Sequence, residues 1–296
     1  MASQLGFASF SAFFVPLSRP RWIAPQKSPQ RRARRPSHFA ATNLLFTGSG
    51  DASPQFAPVL ILPGLGNSSA DYASLASSLA ERGHAAVSIA PVARWKWSLN
   101  ARGFFISDYW KGTLRPDQVL KWYFGCVDLG LRELVESGMD LCGISVVGHS
   151  AGGWLGRAYL AECAPAELRV SSLVTLGTPH KAPPTGQMDQ TRGLLKYIDK
   201  ECGMSDLVDD FVCVAGTGTI GKQFGNGSVG EYVAYLSYAA VSGEGNVDGD
   251  GVTPVNAACA PSGRLVICND CDHSMLTSRR WYGEGEAYQK WVSNLP

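Results

Sequence analysis

The chain has 296 residues, of which 45% are hydrophobic and 17% are charged. This composition supports one large folded domain and excludes a chain that is disordered throughout. Residues 1–50 hold seven basic and no acidic side chains, whereas the remainder holds 19 basic and 25 acidic ones. A body with an acidic balance argues against nucleic-acid binding, because phosphates are neutralised by basic surfaces.

The first 42 residues have the composition of an organellar targeting segment, rich in Ser, Ala, Arg and Pro and free of acids. The prolines interrupt any long amphipathic helix, which favours a chloroplast transit peptide over a mitochondrial presequence. A secretory signal is the other alternative, because Phe7–Leu17 is apolar, but this run lacks a basic segment before it and is followed by an Arg-rich stretch. We therefore expect residues 1–42 to be a transit peptide and disordered tail, and residues 57–296 to form the folded domain.

From Pro58 onward, short apolar runs alternate with amphipathic helices. In chain order the pattern predicts a strand at Val59–Leu62, a helix at 69–82, a strand at Ala85–Ala90, an irregular aromatic stretch at 91–115, a helix at 117–137, a strand at Ile144–Val147, a helix ending near Cys163 and a strand at Val170–Leu176. It then predicts interrupted helix over 179–209, strands at Phe211–Ala215, Tyr232–Val241 and Leu265–Cys268, and a last helix at 284–293. This alternation predicts an α/β fold whose mostly parallel sheet is flanked by helices.

The segment Gly148-His149-Ser150-Ala151-Gly152 follows a predicted strand and opens a predicted helix. This is the context of a G-x-S-x-G turn, in which glycines leave room for a sharp turn that presents the serine hydroxyl above the sheet. Ser150 is therefore our candidate nucleophile.

A serine nucleophile needs a histidine base and a carboxylate that orients the base, and in such folds both follow the serine in the chain. We choose His273 as the base, because His180 follows its strand too soon for an intervening acid. We choose Asp250, with Asp248 second, because Asn246–Pro254 is a glycine-rich turn that precedes the strand before His273.

An oxyanion hole needs two backbone amides directed at one point. Ala151 supplies one, as the residue after the nucleophile. Leu65 supplies the other, because the Gly64-Leu65-Gly66 turn after the first strand lets backbone approach closely.

Four segments together resemble the α/β-hydrolase superfamily, and within it lipase-like branches that include GPI inositol-deacylase-like proteins. The segments are LPGLGNSSADY, GHSAGG, TLGTPHKAPP and DGDGVTP, and the resemblance covers about residues 57–293. It implies an α/β-hydrolase fold with a cap or lid insertion, and a Ser-Asp-His hydrolase that uses no metal or other cofactor. This sequence departs from the more frequent pattern at the oxyanion loop, where Leu-Pro-Gly-Leu replaces a His-Gly start.

Bulky aromatic side chains in the stretch 91–115, including Trp95, Trp97 and Trp110, are candidates for substrate binding, because apolar walls suit an acyl or isoprenoid chain. The sequence thus predicts a serine hydrolase that cleaves a hydrophobic carboxylic ester. Two alternatives remain open, an acyltransferase that forms the same acyl-enzyme and a non-hydrolysing ligand receptor. Peripheral contact with a membrane and the oligomeric state are also left open.

The eight cysteines are spread along the chain, and Cys126, Cys142 and Cys213 lie in apolar runs, so we expect buried free thiols. Cys268-Asn-Asp-Cys271 is a single CxxC pair without the second ligand pair that a structural zinc site needs. We therefore predict no metal site.

Overall fold

The computed structural model of the protein describes residues 56–275 and 280–296. The predicted transit peptide, residues 1–42, lies outside the described residues. The described residues form eight strands: β1 (Val59–Leu62), β2 (Val87–Ile89), β3 (Cys142–His149), β4 (Arg169–Leu176), β5 (Val208–Gly216), β6 (Thr219–Ile220), β7 (Asp248–Gly249) and β8 (Arg264–Cys268).

Six of these strands form a parallel sheet in the order β2-β1-β3-β4-β5-β8. The α-helices are α1 (Ala73–Arg82), α2 (Ser107–Lys111), α3 (Pro116–Val119), α4 (Lys121–Glu136), α5 (Ala151–Glu162), α6 (Leu194–Glu201), α7 (Val229–Ser242) and α8 (Gly285–Val292). This arrangement confirms the predicted α/β-hydrolase fold.

Helices cover both faces of the sheet, which explains why the buried positions of its central strands are mostly apolar. Along β1, Leu60 and Leu62 point into a core shared with α4, α5 and α6, whereas Val59 and Ile61 point into a second core shared with α1 and α8. This alternation follows from the two-residue period of a strand. None of the helices in the described part of the chain has the length and apolar character that crossing a bilayer requires.

The predicted strand at Tyr232–Val241 is wrong, because this segment lies in helix α7. The run is rich in aromatic and β-branched residues, which are common in strands. The ends carry the helix signals: Ser228 and Glu231 form a capping box, and Gly243 ends the helix in the left-handed conformation.

Two other boundaries differ from the prediction. The helix expected at 117–137 is divided at Leu120 into α3 and α4. Of the interrupted helix expected over 179–209, residues Leu194–Glu201 form α6, and strand β5 already begins at Val208.

The stretch 91–115 is not irregular but forms a 3₁₀ helix at Arg94–Phe105 followed by α2. All eight cysteines are free. Cys126 and Cys213 are buried as expected, whereas Cys142, at the start of β3, is exposed.

Candidate active site

Ser150 occupies a sharp turn between β3 and α5, with φ 52° and ψ −125°. Residues with a side chain rarely adopt this conformation, which is held here by the sheet before it and the helix after it. The flanking glycines are required by packing. A Cβ at Gly148 would lie 2.5 Å from the Gly153 Cα, and a Cβ at Gly152 would overlap the Leu62 carbonyl oxygen. The G-x-S-x-G spacing therefore follows from steric limits on both sides of the serine.

His273 lies beside this serine, on the loop that follows β8. Its Nε2 is 2.9 Å from the Ser150 Oγ, and its Nδ1 is 2.7 Å from the Asp250 Oδ2. The His273 amide also donates to the Asp250 carbonyl at 2.8 Å, which fixes the two backbones together. The structure thus brings the three predicted residues into one hydrogen-bonded run, whereas Asp248 lies in β7 with an exposed side chain.

The Asp250 carboxylate is buried and accepts four hydrogen bonds. Oδ1 accepts from the amides of Val252 (3.0 Å) and Thr253 (2.7 Å), and Oδ2 accepts from His273 and from the Tyr282 hydroxyl, each at 2.7 Å. Burial raises the pKa of Asp250, but the charge of His273 and these donors outweigh burial, so the net pKa is below its usual value. The carboxylate is therefore ionised and can stabilise a charged imidazolium.

His180, the alternative base, is bound elsewhere. Its Nε2 donates to the Thr175 Oγ1 at 2.9 Å, and its Nδ1 accepts from an Arg157 guanidinium nitrogen at 3.3 Å. Burial, followed by the charge of Arg157, lowers the pKa of His180 well below its ordinary value. His180 is thus a neutral, fully buried histidine with both ring nitrogens engaged.

The two predicted oxyanion donors are free to bind a ligand. Among the described residues, the amides of Leu65 and Ala151 have no acceptor. The neighbouring Gly64 amide, by contrast, donates to the Tyr72 hydroxyl at 2.8 Å. The Gly64 turn lies against the nucleophile, since a Cβ at Gly64 would be 2.8 Å from the Ser150 Cβ. The Leu65 side chain is 42% exposed.

Three buried residues at the site were missed by the sequence analysis. Tyr282 binds the Asp250 carboxylate, and Tyr72 and His149 are joined through the Tyr72 hydroxyl and the His149 Nδ1 at 2.8 Å. The sequence separations, 32 and 77 residues, leave no spacing signal that could have found these pairs. His149 was visible only as a variable position of the G-x-S-x-G motif.

The three tryptophans predicted to bind substrate occupy different environments. Trp97 is 6% exposed, packs its ring 5.1 Å from that of Trp122 and donates to the Asn67 carbonyl at 2.8 Å. Trp97 is therefore a core residue, and the prediction that it lines a substrate-binding wall is not supported. Trp95 and Trp110 are 67% and 68% exposed.

The CxxC pair has partners within the protein. The Cys268 thiol donates to the Ala287 carbonyl, and the Cys271 thiol donates to the Asp272 carbonyl. Over residues 56–275 and 280–296, no three His, Cys, Asp or Glu side chains group in a way that could hold a metal ion.

Comparison with known proteins gives one family. The family model described as palmitoyl protein thioesterase matches residues 58–216, which include Leu65, Ser150 and Ala151 but neither Asp250 nor His273. No curated protein matches.

Several solved structures are similar at low identity. The mature lipase BlEst2 of Bacillus licheniformis is 16% identical, with a TM-score of 0.45 over 77% of this chain and 90% of that one. The esterase domain of a Rhodothermus marinus protein is 14% identical, with a TM-score of 0.40 over 85% and 91%. A soluble variant of monoglyceride lipase from Saccharomyces cerevisiae is 16% identical, with a TM-score of 0.30 over 46% of this chain; the match spans 40% of the yeast chain.

Proposed function

The chain belongs to the palmitoyl protein thioesterase family and is a carboxylic ester hydrolase of the α/β-hydrolase superfamily, and from this premise we propose that it hydrolyses a long-chain acyl thioester or ester through Ser150, His273 and Asp250. The observation that carries the proposal is the hydrogen-bonded run from the Ser150 Oγ through His273 to the buried Asp250 carboxylate. The family match ends before Asp250 and His273, so their roles rest on this geometry alone.

In the first half of the reaction, His273 takes the proton of the Ser150 hydroxyl as the oxygen attacks the acyl carbonyl carbon. Asp250 holds the imidazole with its Nδ1–H toward the carboxylate and stabilises the imidazolium that forms. The tetrahedral oxyanion accepts hydrogen bonds from the Leu65 and Ala151 amides. His273 then returns the proton to the departing sulfur or oxygen, and the acyl group stays on Ser150.

In the second half, His273 takes a proton from a water molecule, whose oxygen attacks the acyl carbonyl of the acyl-enzyme. Collapse of the second tetrahedral intermediate releases the fatty acid, and the proton on His273 restores the Ser150 hydroxyl. An acceptor alcohol in place of water would make the enzyme an acyltransferase, which shares every step except the last attack.

The test uses two peptides that carry the same palmitoyl group, one as a cysteine thioester and one as a serine ester. We expect the full-length protein to release palmitate from the thioester, and Ser150→Ala to lose at least about three orders of magnitude in kcat. Release from the serine ester alone would replace the thioesterase proposal with an esterase. Transfer of palmitate to added glycerol in place of release would make it an acyltransferase, and no turnover of either peptide by folded protein would contradict the hydrolase proposal.

The exposed aromatics lead us to propose that the protein also contacts a membrane surface. Trp95 and Trp110 lie in the stretch 94–111 with Phe105, which is 89% exposed. Three exposed cations lie in the same stretch. Arg94 pairs with Asp71, whereas Arg102 and Lys111 make no ion pair with any described residue. Aromatic rings and basic side chains together suit the headgroup region of an anionic bilayer.

The stretch 94–111 is hydrogen-bonded to residues 64–67, here called the oxyanion turn, which carry the Leu65 amide. The Trp97 indole donates to the Asn67 carbonyl at 2.8 Å, and the Arg94 guanidinium donates to the Gly66 carbonyl at 3.1 Å. A bilayer in contact with Trp95 and its neighbours would therefore present acyl chains near the candidate site.

The membrane proposal is tested by flotation with vesicles of phosphatidylcholine containing one quarter phosphatidylglycerol. Phe105→Ser and Trp110→Ser should each weaken binding, whereas Leu129→Ser, which removes a 45% exposed side chain from α4, should not. The basic leading segment is present in all variants, so the comparison isolates the aromatic side chains. Equal flotation of all three variants and the parent would contradict the proposal.

We also propose a plastid location, which rests only on the composition of residues 1–42. A fluorescent fusion of the full chain should enter plastids, and a signal in mitochondria or the secretory pathway would overturn this proposal.

A further inference from the structure

A buried chain of hydrogen-bonded polar groups connects the oxyanion turn to the backbone of His273. It begins at Tyr72, whose hydroxyl accepts hydrogen bonds from the Gly64 amide (2.8 Å) and from the Asn67 side-chain amide (3.0 Å). Both lone pairs of the hydroxyl are then in use, so its proton is directed to the His149 Nδ1 at 2.8 Å.

The direction of these bonds fixes the tautomer of His149. Because Nδ1 accepts from Tyr72, the ring proton lies on Nε2, which donates to the His273 carbonyl at 3.2 Å. Burial, and then the neighbouring His273, lower the pKa of His149 to about 3, so the ring is neutral near pH 7. The His149 and His273 rings lie 5.0 Å apart, with their planes at 40°.

We propose that Tyr72 and His149 are positioning residues that hold the oxyanion turn and the base His273 in one fixed relation across Ser150. This inference rests on the proposed function, because it assigns their effect to the reaction at Ser150. Tyr72 orients Gly64, the residue before the Leu65 amide, and His149 orients the backbone that carries His273. Neither side chain touches the reacting atoms.

Apolar packing alone does not explain these groups. Tyr72 and His149 are both almost fully buried, and apolar residues of similar size would fill the space without the cost of desolvating a phenol and an imidazole. The hydrogen bonds of Tyr72 and His149 orient two backbone segments, at Gly64 and at His273, which are distant in sequence but adjacent at the site. Misplacement of catalytic groups by about 1 Å can cost about 100-fold in rate.

The test compares Tyr72→Phe, His149→Leu and His149→Gln in the full-length protein. Glutamine offers a carbonyl that can accept from Tyr72 and an amide that can donate to the His273 carbonyl, whereas leucine offers neither. We expect Tyr72→Phe and His149→Leu to lower kcat by about 10- to 100-fold with little change in KM, because acyl-chain binding is untouched. We expect His149→Gln to recover most of the lost kcat.

The matched control is Tyr159→Phe, which also removes a buried tyrosine hydroxyl from a hydrogen bond, in this case to Asp128 at 2.7 Å. It should leave kcat unchanged. The double variant Tyr72→Phe/His149→Leu should be no slower than the slower single variant, because both changes break one connected run.

The outcomes separate this inference from the proposed function. If the parent protein hydrolyses the palmitoyl thioester and Tyr72→Phe and His149→Leu match its kcat, the positioning role is wrong while the hydrolase stands. If His149→Gln is folded but as slow as His149→Leu, the hydrogen bonds do not carry the effect and the inference also fails. If Tyr72→Phe does not fold, the leucine and glutamine variants decide alone. A parent protein without turnover contradicts the proposed function itself.

Discussion

Replacement of Tyr282 by phenylalanine tests how the buried carboxylate of Asp250 is held in its charged form. The Tyr282 hydroxyl donates to the Asp250 Oδ2 at 2.7 Å and accepts from the Gly216 amide at 2.8 Å. Tyr282→Phe keeps the ring but removes this oxygen. It leaves Asp250 with three donors of four and the buried Gly216 amide without its acceptor.

The expected cost follows from those two losses. A buried donor left without a partner costs about 1–3 kcal/mol, and a hydrogen bond to a charged group contributes about 1.5–3 kcal/mol. Because the two effects share one oxygen, we expect a decrease of about 2–4 kcal/mol in the free energy of unfolding at pH 7. For a domain of this size, that lowers Tm by about 5–15 °C.

The sign of the pH dependence separates the two contributions. The folded-state pKa of Asp250 lies below its usual value. Its stabilisation is therefore present above the unfolded-state pKa, about 3.9, and is lost as the pH falls through the folded-state value. Without the Tyr282 hydroxyl, the folded-state pKa of Asp250 is lowered less. The difference in unfolding free energy between parent and Tyr282→Phe should therefore become smaller below about pH 4. The difference in unfolding free energy that remains at low pH reflects the Gly216 amide, which has lost its acceptor.

The assay is urea unfolding at a series of pH values from 7 to 2, with Tyr288→Phe as control. The Tyr288 hydroxyl donates to the Ser78 carbonyl at 3.2 Å, a neutral acceptor, so its loss should cost the same at every pH. A stability difference for Tyr282→Phe that stays constant as the pH falls would show that the hydroxyl does not stabilise the charge on Asp250. An unchanged free energy of unfolding at pH 7 would refute the whole reasoning.

Two further pairs of variants test the turn and the acid. Gly152→Ala should abolish stable folding or activity, because its methyl group would overlap the Leu62 carbonyl. Gly125→Ala lies within α4 with open space around it, so thermal unfolding should show a gain in stability of up to about 1 kcal/mol. Equal behaviour of the two would contradict the steric account. Asp250→Asn should lower kcat by about 10⁴-fold with the fold intact, whereas Asp248→Asn, at an exposed position, should change it by no more than about twofold. The reverse ranking in thioester hydrolysis would exchange the two assignments.

The sequence predicts best where a local rule applies. The runs around β1 and β3 are apolar, short and followed by glycine turns, so their positions and the place of Ser150 could be predicted. Helix α7 could not be predicted from its interior, because its exposed face carries Val229, Val233 and Leu236 and hides the helical period.

Two features could not be predicted from local sequence patterns: which residues of the 3₁₀ helix are buried, and which residues contact partners distant in the chain. A three-residue period turns Trp97 and Gly103 inward and leaves Trp95 outside, which a four-residue or irregular interpretation does not predict. Tyr72 and Tyr282 reach the site only through the folded sheet, since their partners lie on other elements. Pairings of this kind depend on tertiary structure and leave no local pattern.

The most direct test of the central claim is to map a fluorophosphonate probe on the full-length protein by peptide mass spectrometry. The phosphorus traps an activated serine oxygen, so the account predicts one adduct on Ser150, no adduct in Ser150→Ala and much slower labelling in Asp250→Asn. A folded parent protein that stays unlabelled, or that carries its adduct on another residue, would contradict the assignment of Ser150 as the nucleophile.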